Sequence, residues 1–246
     1  MIGLRPLTEG RQFQEAVQLQ KTIWGFDDVE LLPVRLFVVA TKVGGQALGA
    51  YDGAAMVGFL LAIPGLKPGG GTYLHSHMLG VLPEYRNRGV GRMLKLEQRR
   101  DALARGIDLV EWTFDPLELK NAFFNMERLG AIVRRYVENQ YGTTSSPLHG
   151  GLPTDRCVAE WWLASPHAES VIAGQTPARA VEERIEVPAD IDAIRRAEPK
   201  RARQIQRSLG EGLMASFSRG LAVVGFERSA TAGTYLIGKW TCASNA

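Results

Sequence analysis

Cysteine is scarce: Cys157 and Cys242 are the only two in 246 residues. They stand far apart and form no CxxC spacing, which excludes a disulfide framework and a zinc module and fits a reducing compartment. A long apolar run is also missing. The nearest approach, Ala54 to Leu66, falls short of the roughly 20 residues of a membrane span. Pro64 and several glycines interrupt it, so it reads as a buried strand. Met1 to Thr22 lacks the basic start, apolar block and small-residue cleavage site of a secretory signal, so the expected location is the cytoplasm. Charge of one sign is not in excess: 29 basic against 26 acidic residues leave +3. That is too little for a general nucleic-acid binder, and only a local patch would support one. No clear internal repeat is visible.

What is present is a globular composition, 45% hydrophobic, with enough chain for one large domain and a smaller appendage. Ile2–Pro6 reads as a strand, and Thr8 as the cap of a helix carrying Phe13, Ala16, Val17 and Leu19 that Gly25 ends. Leu31 to Val43 suggests a second helix. Ala47–Tyr51 and Ala55–Ile63 flank Asp52-Gly53, a two-residue hairpin signal. Beyond Gly69, Gly70 and Gly71, Thr72–Val81 is a long strand ending before Pro83. A helix over Gly89–Arg105 with Met93, Leu96 and Leu103 on one face then stops at Gly106. After a strand at Ile107–Phe114, Asp115-Pro116-Leu117-Glu118 announces a helix by its capping carboxylate, proline at the first position and glutamate at the third, and Gly130 ends it. Strands follow at Ala131–Val137 and Arg156–Leu163, separated by a polar turn region, Tyr141–Pro153. Only one of Trp161 and Trp162 can point inward, the other being free to line a cleft. Ser165–Glu182 has weak periodicity and reads as linker. The expected organisation is a domain over 1–164, a linker over 165–183 and a small α/β unit over 184–246. In that unit, helices over Asp190–Phe217 break near Pro199 and strands close at Leu221–Phe226 and Thr234–Ile237.

The segment with the sharpest chemical meaning is Leu79-Gly80-Val81-Leu82-Pro83-Glu84-Tyr85-Arg86-Asn87-Arg88-Gly89-Val90-Gly91-Arg92. A strand runs through a glycine-containing turn directly into a helix. The free N–H groups and positive dipole end of a helix start can hold a pyrophosphate, and Gly89 and Gly91 let it approach. Arg86, Arg88 and Arg92 add positive charge. By itself, RxxGxG has a plainer meaning, a tight strand-to-helix turn.

With Val81-x-Pro83 before it, this segment resembles the RxxGxG/A signature of the GCN5-related N-acetyltransferase (GNAT) superfamily. The order of elements from Ile2 to Leu163 resembles that superfamily as well. Asp115-Pro116-Leu117, Asn121 to Ala131 and Gly151 to Arg156 look like a less characterised bacterial branch of predicted acetyltransferases. The resemblance implies an α/β (α+β) fold: a mixed, largely antiparallel central sheet with splayed strands and flanking helices. It implies that acyl-CoA lies between Thr72–Val81 and Ile107–Phe114, with the backbone of Leu79, Gly80 and Val81 pairing with pantetheine. The residues Arg86, Asn87, Arg88, Gly89, Val90, Gly91 and Arg92 would hold the pyrophosphate, and the N–H near Leu79 would polarise the acyl carbonyl. Asn121 and Asn125, four apart on the following helix, can reach coenzyme or substrate or can face solvent. Met126 stands where the superfamily usually has a proton-donating tyrosine, and methionine cannot donate. Tyr136, Tyr141 or water are the substitutes.

Amide formation from a thioester needs a neutral amine, hence a base. His75 and His77 share a strand face, and Glu111 lies inside the apolar run Leu109-Val110-Glu111-Trp112, where a charge needs a partner or a function. Glu111 and His77 are the candidate bases, a salt bridge being the other explanation for Glu111. His75-x-His77 lacks an evident third ligand, so no metal site is expected. The basic stretch Arg195, Arg196, Lys200, Arg201, Arg203 and Arg207 has the spacing of a solvated amphipathic helix and no stacking aromatics, which argues against nucleic acid. Covering the substrate cleft or forming a homodimer are better uses. The expected activity is transfer of an acetyl group from acetyl-CoA, or a succinyl group from succinyl-CoA, to the amine of a small metabolite such as an amino acid, by direct attack. A non-catalytic acyl-CoA-binding regulatory module is the alternative. Neither a metal nor a membrane is expected to take part.

Overall fold

A computed structural model describes residues 1–142 and 152–241. Cys242, Gly151 and most of the turn region before Pro153 lie outside the described residues. The chain divides into two compact units, Met1–Glu111 and Trp112–Ala246.

The first unit contains β1 (Ile2–Pro6), α1 (Gly10–Trp24), α2 (Val34–Lys42), β2 (Gln46–Asp52), β3 (Ala55–Leu66), β4 (Thr72–Val81), α3 (Val90–Ala104) and the start of β5 (Leu109–Phe114). Strands β1 to β4 are antiparallel neighbours in chain order, and β4 pairs in parallel with β5. The hairpin is one residue off the expected turn: Asp52 pairs with Ala55, so Gly53 and Ala54 make the turn, and Gly53 takes the positive φ it requires. Residues Met56 to Ala62 are all buried, because both faces of β3 are covered. On one face Phe13 of α1 and Phe37 of α2 pack with Phe59 and Leu61. On the other, α3 turns Val90, Leu94, Lys95, Gln98 and Ala102 inward. This explains why the longest apolar run is a strand without alternation. Each fully buried large side chain there contributes about 1.5–3 kcal/mol. Thr8 is not the cap of α1. Glu9 occupies that position, and the Gln12 amide oxygen accepts from the N–H groups of both Thr8 and Glu9.

The second unit continues from the end of β5 through α4 (Leu119–Phe123), a π-helical segment (Phe124–Leu129), β6 (Ile132–Val137), β7 (Arg156–Trp162), α5 (Pro166–Ile172), β8 (Val181–Pro188), α6 (Ile191–Ala197), α7 (Pro199–Ser218), β9 (Leu221–Arg228) and β10 (Ala232–Lys239). Its strands lie in the order β5-β7-β6-β9-β10-β8. The stretch read as linker is not structureless. It holds α5, whose first turn is capped by Ser165 Oγ accepting from the Ala168 N–H at 3.2 Å, with Pro166 at the first helical position. On α7 the buried set Ala202, Gln206, Leu209, Leu213 and Ser216 follows helical spacing, while Lys200, Arg201, Arg203 and Arg207 are exposed. The basic stretch is therefore a solvated face, with one exception: Arg195 is buried.

The helix expected from Asp115 to Gly130 is shorter and distorted. Asp115 Oδ1 accepts from the Leu117 N–H at 2.8 Å, closing a local turn, and α4 begins only at Leu119. Glu118 does not reach back to cap it. Arg195 takes Glu118 at 3.0 Å and Asp115 at 2.8 Å. After Phe123 the helix widens to π geometry, with the Gly130 N–H reaching Asn125 O five residues back. The extra residue per turn destroys the 3.6-residue spacing.

His167 of α5 meets the Trp240 ring edge-on at 5.3 Å, and burial, helped by the Arg179 charge, pushes its imidazole down to about 4. A folded-state value below the unfolded 6.5 means that the unfolded chain binds the proton more tightly. The stabilising contribution is therefore full above about 6.5 and is lost as pH falls toward 4. The melting temperature should drop over that window, and His167→Gln should flatten the drop; an unchanged profile would contradict it.

Candidate functional site

The segment after β4 carries the chain from a strand end through a tight turn into a helix start. Leu82 leads into one turn of 3-10 helix at Pro83–Tyr85. Asn87 and Gly89 then both take left-handed φ, 60° and 80°, a backbone form that turns successive N–H groups toward one side. Gly89 is the N-cap of α3. Having no side chain, it places no cap on the first turn, which also contains no acidic residue. The Met93 N–H donates to Gly89 O at 2.9 Å, closing the first turn. A Cβ on Gly91 would make ordinary van der Waals contact with Leu79 at 3.8 Å and Val81 at 3.9 Å, so a small side chain fits there without a clash. These features fit the pyrophosphate of a coenzyme A held by Gly89, Val90 and Gly91 backbone groups.

The arginines divide their work. Arg86 folds back, its Nε donating to Val81 O at 3.2 Å and its Nη2 to Ile23 O at 3.4 Å, so it braces the turn. The Arg88 guanidinium lies 5.2 Å from the centre of the Tyr85 ring, whose hydroxyl donates to Asp52 at 3.0 Å. Arg92 is half-buried in the first turn. Gly80 is required by packing: a Cβ would meet Trp24 at 2.7 Å and Ile23 at 2.8 Å.

In β4 the register against β3 shifts: Met78 and Ser76 pair with the consecutive residues Leu61 and Ala62. His77 is thus the extra residue of a β-bulge. The alternation that should place His75 and His77 on one face is broken there, yet their rings still lie 5.8 Å apart. His75 is half-buried and His77 more exposed. Burial lowers both imidazoles; at His75 the neighbouring His77 adds to this and Glu111 opposes it. Glu111 pairs in register with His75. It is buried and bonded to Lys67, whose ammonium also sits 4.8 Å over Tyr73. The charge in the apolar run has a partner, one the sequence did not single out.

In the second unit Asn121 is exposed and Asn125 buried, so the π segment separates two amides that ideal spacing would align. Asn125 Nδ2 is buried and has no hydrogen-bond partner among the described residues. Met126 is fully buried. Tyr136 donates to Asp155 at 2.7 Å, and burial together with that bond raises its hydroxyl far above the ordinary range. Tyr141 shares a hydrogen bond with Thr113 at 3.0 Å. Trp161 is the inward tryptophan. Trp162 is half-buried beside Ile132, Ala222 and Val224. Sequence reasoning missed Lys95, a fully buried lysine of α3, because its spacing looks like any amphipathic helix. Among the described residues no cluster of three or more metal-ligating side chains occurs, and no helix is long and apolar enough to cross a membrane.

Residues 13–130 match the acetyltransferase (GNAT) family. No curated protein matches the chain. Among solved structures, Arabidopsis thaliana NAA60 in complex with a bisubstrate analogue is similar at TM-score 0.54 and 16% identity, over 66% of this chain and 98% of that one. The ribosomal-protein-S18-alanine N-acetyltransferase from Escherichia coli is similar at TM-score 0.54 and 14% identity, over 74% of this chain and all of that one (100%). NAA60 in complex with acetyl-CoA is similar at TM-score 0.53 and 17% identity, over 66% of this chain and 99% of that one. At such identities these likenesses speak for the fold, a mixed α/β arrangement around a largely antiparallel sheet. The family match, just under half of the chain, covers the β4–turn–α3 segment with its RxxGxG sequence, so residues 13–130 are similar to a GNAT acetyltransferase domain.

Proposed function

We propose that this protein transfers an acyl group from acetyl-CoA, or from succinyl-CoA, to the amine of a small metabolite such as an amino acid. The observation that carries the reading is the uncapped start of α3 behind the left-handed residues Asn87 and Gly89. When bound, the coenzyme supplies a thioester. The residues of this chain hold its pyrophosphate at Gly89 to Gly91, aim a β4 backbone N–H near Leu79 at the carbonyl, and take the proton of the attacking amine. Of the two bases, His77 is favoured because it is the more exposed residue, whereas Glu111 is buried and engaged by Lys67. In the direct mechanism the amine nitrogen bonds to the acyl carbon, the carbon–sulfur bond breaks, and the thiolate takes a proton. Met126 cannot give that proton and Tyr136 is tied to Asp155, which leaves Tyr141 or water.

The test is the pH dependence of kcat/KM, which reports the free enzyme's base. The ascending limb of wild type should have its inflexion below the usual histidine value, in keeping with the lowered His77. His77→Gln should remove this limb and Glu111→Gln should keep it; the reverse result would move the base to Glu111. A second reading, an acyl-CoA-binding regulatory module, is favoured by the burial of Met126 at the usual donor position. It requires coenzyme binding without amine-dependent turnover.

A further inference from the structure

Lys95 is 2% exposed, and burial lowers its ammonium well below the usual range. A charge-bearing side chain under a sheet costs several kcal/mol to desolvate, where an aliphatic residue would fill the space more favourably. Its hydrogen bonds offset part of that cost. Nζ donates to Ser76 Oγ at 2.9 Å and to Gln98 Oε1 at 3.1 Å. Gln98 in turn donates to Gln46 Oε1 at 3.0 Å, and Gln46 to Asp101 Oδ2 at 2.6 Å. A polar chain thus runs through the interior from the far end of α3 to one residue of β4. That residue, Ser76, immediately precedes the bulge at His77.

A bulge is a local register choice. Moving it by one position along β4 would reverse the facing of the residues between its old and new places. Apolar packing alone defines the choice weakly, because Leu60, Leu61 and Ala62 opposite are all small or medium aliphatic residues. A directed hydrogen bond to Ser76 distinguishes one register from the next. Resting on the acyl-transfer reading, we propose that Lys95 is a positioning residue: through Ser76 it pins the bulge at His77. It thereby fixes the Leu79 backbone, which polarises the acyl carbonyl, against the helix that holds the pyrophosphate. Lys95 lies five residues after Val90 on that same helix, so one element carries both the phosphate handle and the lock on the carbonyl handle.

The test uses Lys95→Met, Ser76→Ala and the double variant of the full chain. Coenzyme A affinity, read by calorimetry, should stay within about threefold, since the cradle is untouched. kcat should fall by about 10- to 100-fold, the scale of a misplaced reacting group. The double variant should lose no more than either single one, because both act through one bond. Unchanged kcat in folded Lys95→Met, or losses that multiply, would overturn the proposal. Should Lys95→Met not fold, Ser76→Ala decides alone by the same split between kcat and affinity. Amide exchange at His77 to Leu79 in ligand-free protein reads the lock without chemistry. It should quicken in the variants while the rest of Met1–Glu111 keeps its protection, and unaltered exchange would overturn the lock. If exchange quickens but wild type turns over no acyl-CoA, the acyl-transfer reading fails and the lock stands.

Discussion

Gly91→Trp is expected to leave the fold intact and to weaken acetyl-CoA binding by about 100-fold or more, roughly 2.7 kcal/mol. Position 91 lies in the first turn of α3, where a Cβ would meet only Leu79 and Val81 at ordinary contact distance, 3.8 and 3.9 Å. No left-handed conformation is demanded there, and replacing a helical glycine relieves backbone entropy, so stability should hold or rise by a few tenths of a kcal/mol. The indole would occupy the space over the first-turn N–H groups. Gly91→Ala, adding one methyl, should reduce affinity much less. Gly89→Ala differs in kind: at φ 80° a side chain costs about 1–2 kcal/mol in strain. Calorimetric titration of the three variants beside their melting temperatures separates blockage from unfolding. Tight binding by folded Gly91→Trp would show that the pyrophosphate lies elsewhere.

The second large effect is on stability. Arg195→Ala should cost about 3 kcal/mol in denaturant unfolding, because it removes the buried arginine that compensates Asp115 and the partly exposed Glu118. The Arg195 side chain is 6% exposed and Asp115 11%. Glu118 already sits above the usual carboxylate range through burial, with Arg195 opposing that rise. Replacing the set together, by Arg195→Met with Asp115→Asn and Glu118→Gln, should recover most of the loss, since no net charge then remains buried. A single-variant cost below about 1 kcal/mol, the scale of surface pairs, would contradict the cluster's role.

These two positions also show what the sequence reveals and what it conceals. The strand–turn–helix order around Arg86 to Arg92 was legible because its signals are local: it needs only a strand end, two glycines and a helix start. Most elements were legible too, including Ile2–Pro6 and the break before Pro199, since periodicity and punctuation are local signals. What failed depended on contacts far along the chain. Asp115-Pro116-Leu117-Glu118 has the spelling of a helix start, but Arg195, 80 residues away, draws the carboxylates off. The π segment has no sequence signature, so Asn121 and Asn125 were aligned by a spacing that the helix does not keep. Ser165-Pro166 was a readable cap, overlooked because α5 is too short to show a period. The bulge at His77 and the burial of Lys95 follow from register, which no single segment encodes.

The claim on which everything else rests is acyl transfer to an amine, and one measurement reaches it most directly. Purified full-length protein would be incubated with acetyl-CoA and, separately, succinyl-CoA across a panel of amino acids and small amines. Free coenzyme A thiol and N-acyl product are both quantified. The expected result is thiol release that requires an amine and matches product one for one, lost in Gly91→Trp. Saturable coenzyme binding with no amine-dependent release from any member of the panel would contradict it, and would favour a regulatory acyl-CoA-binding module instead.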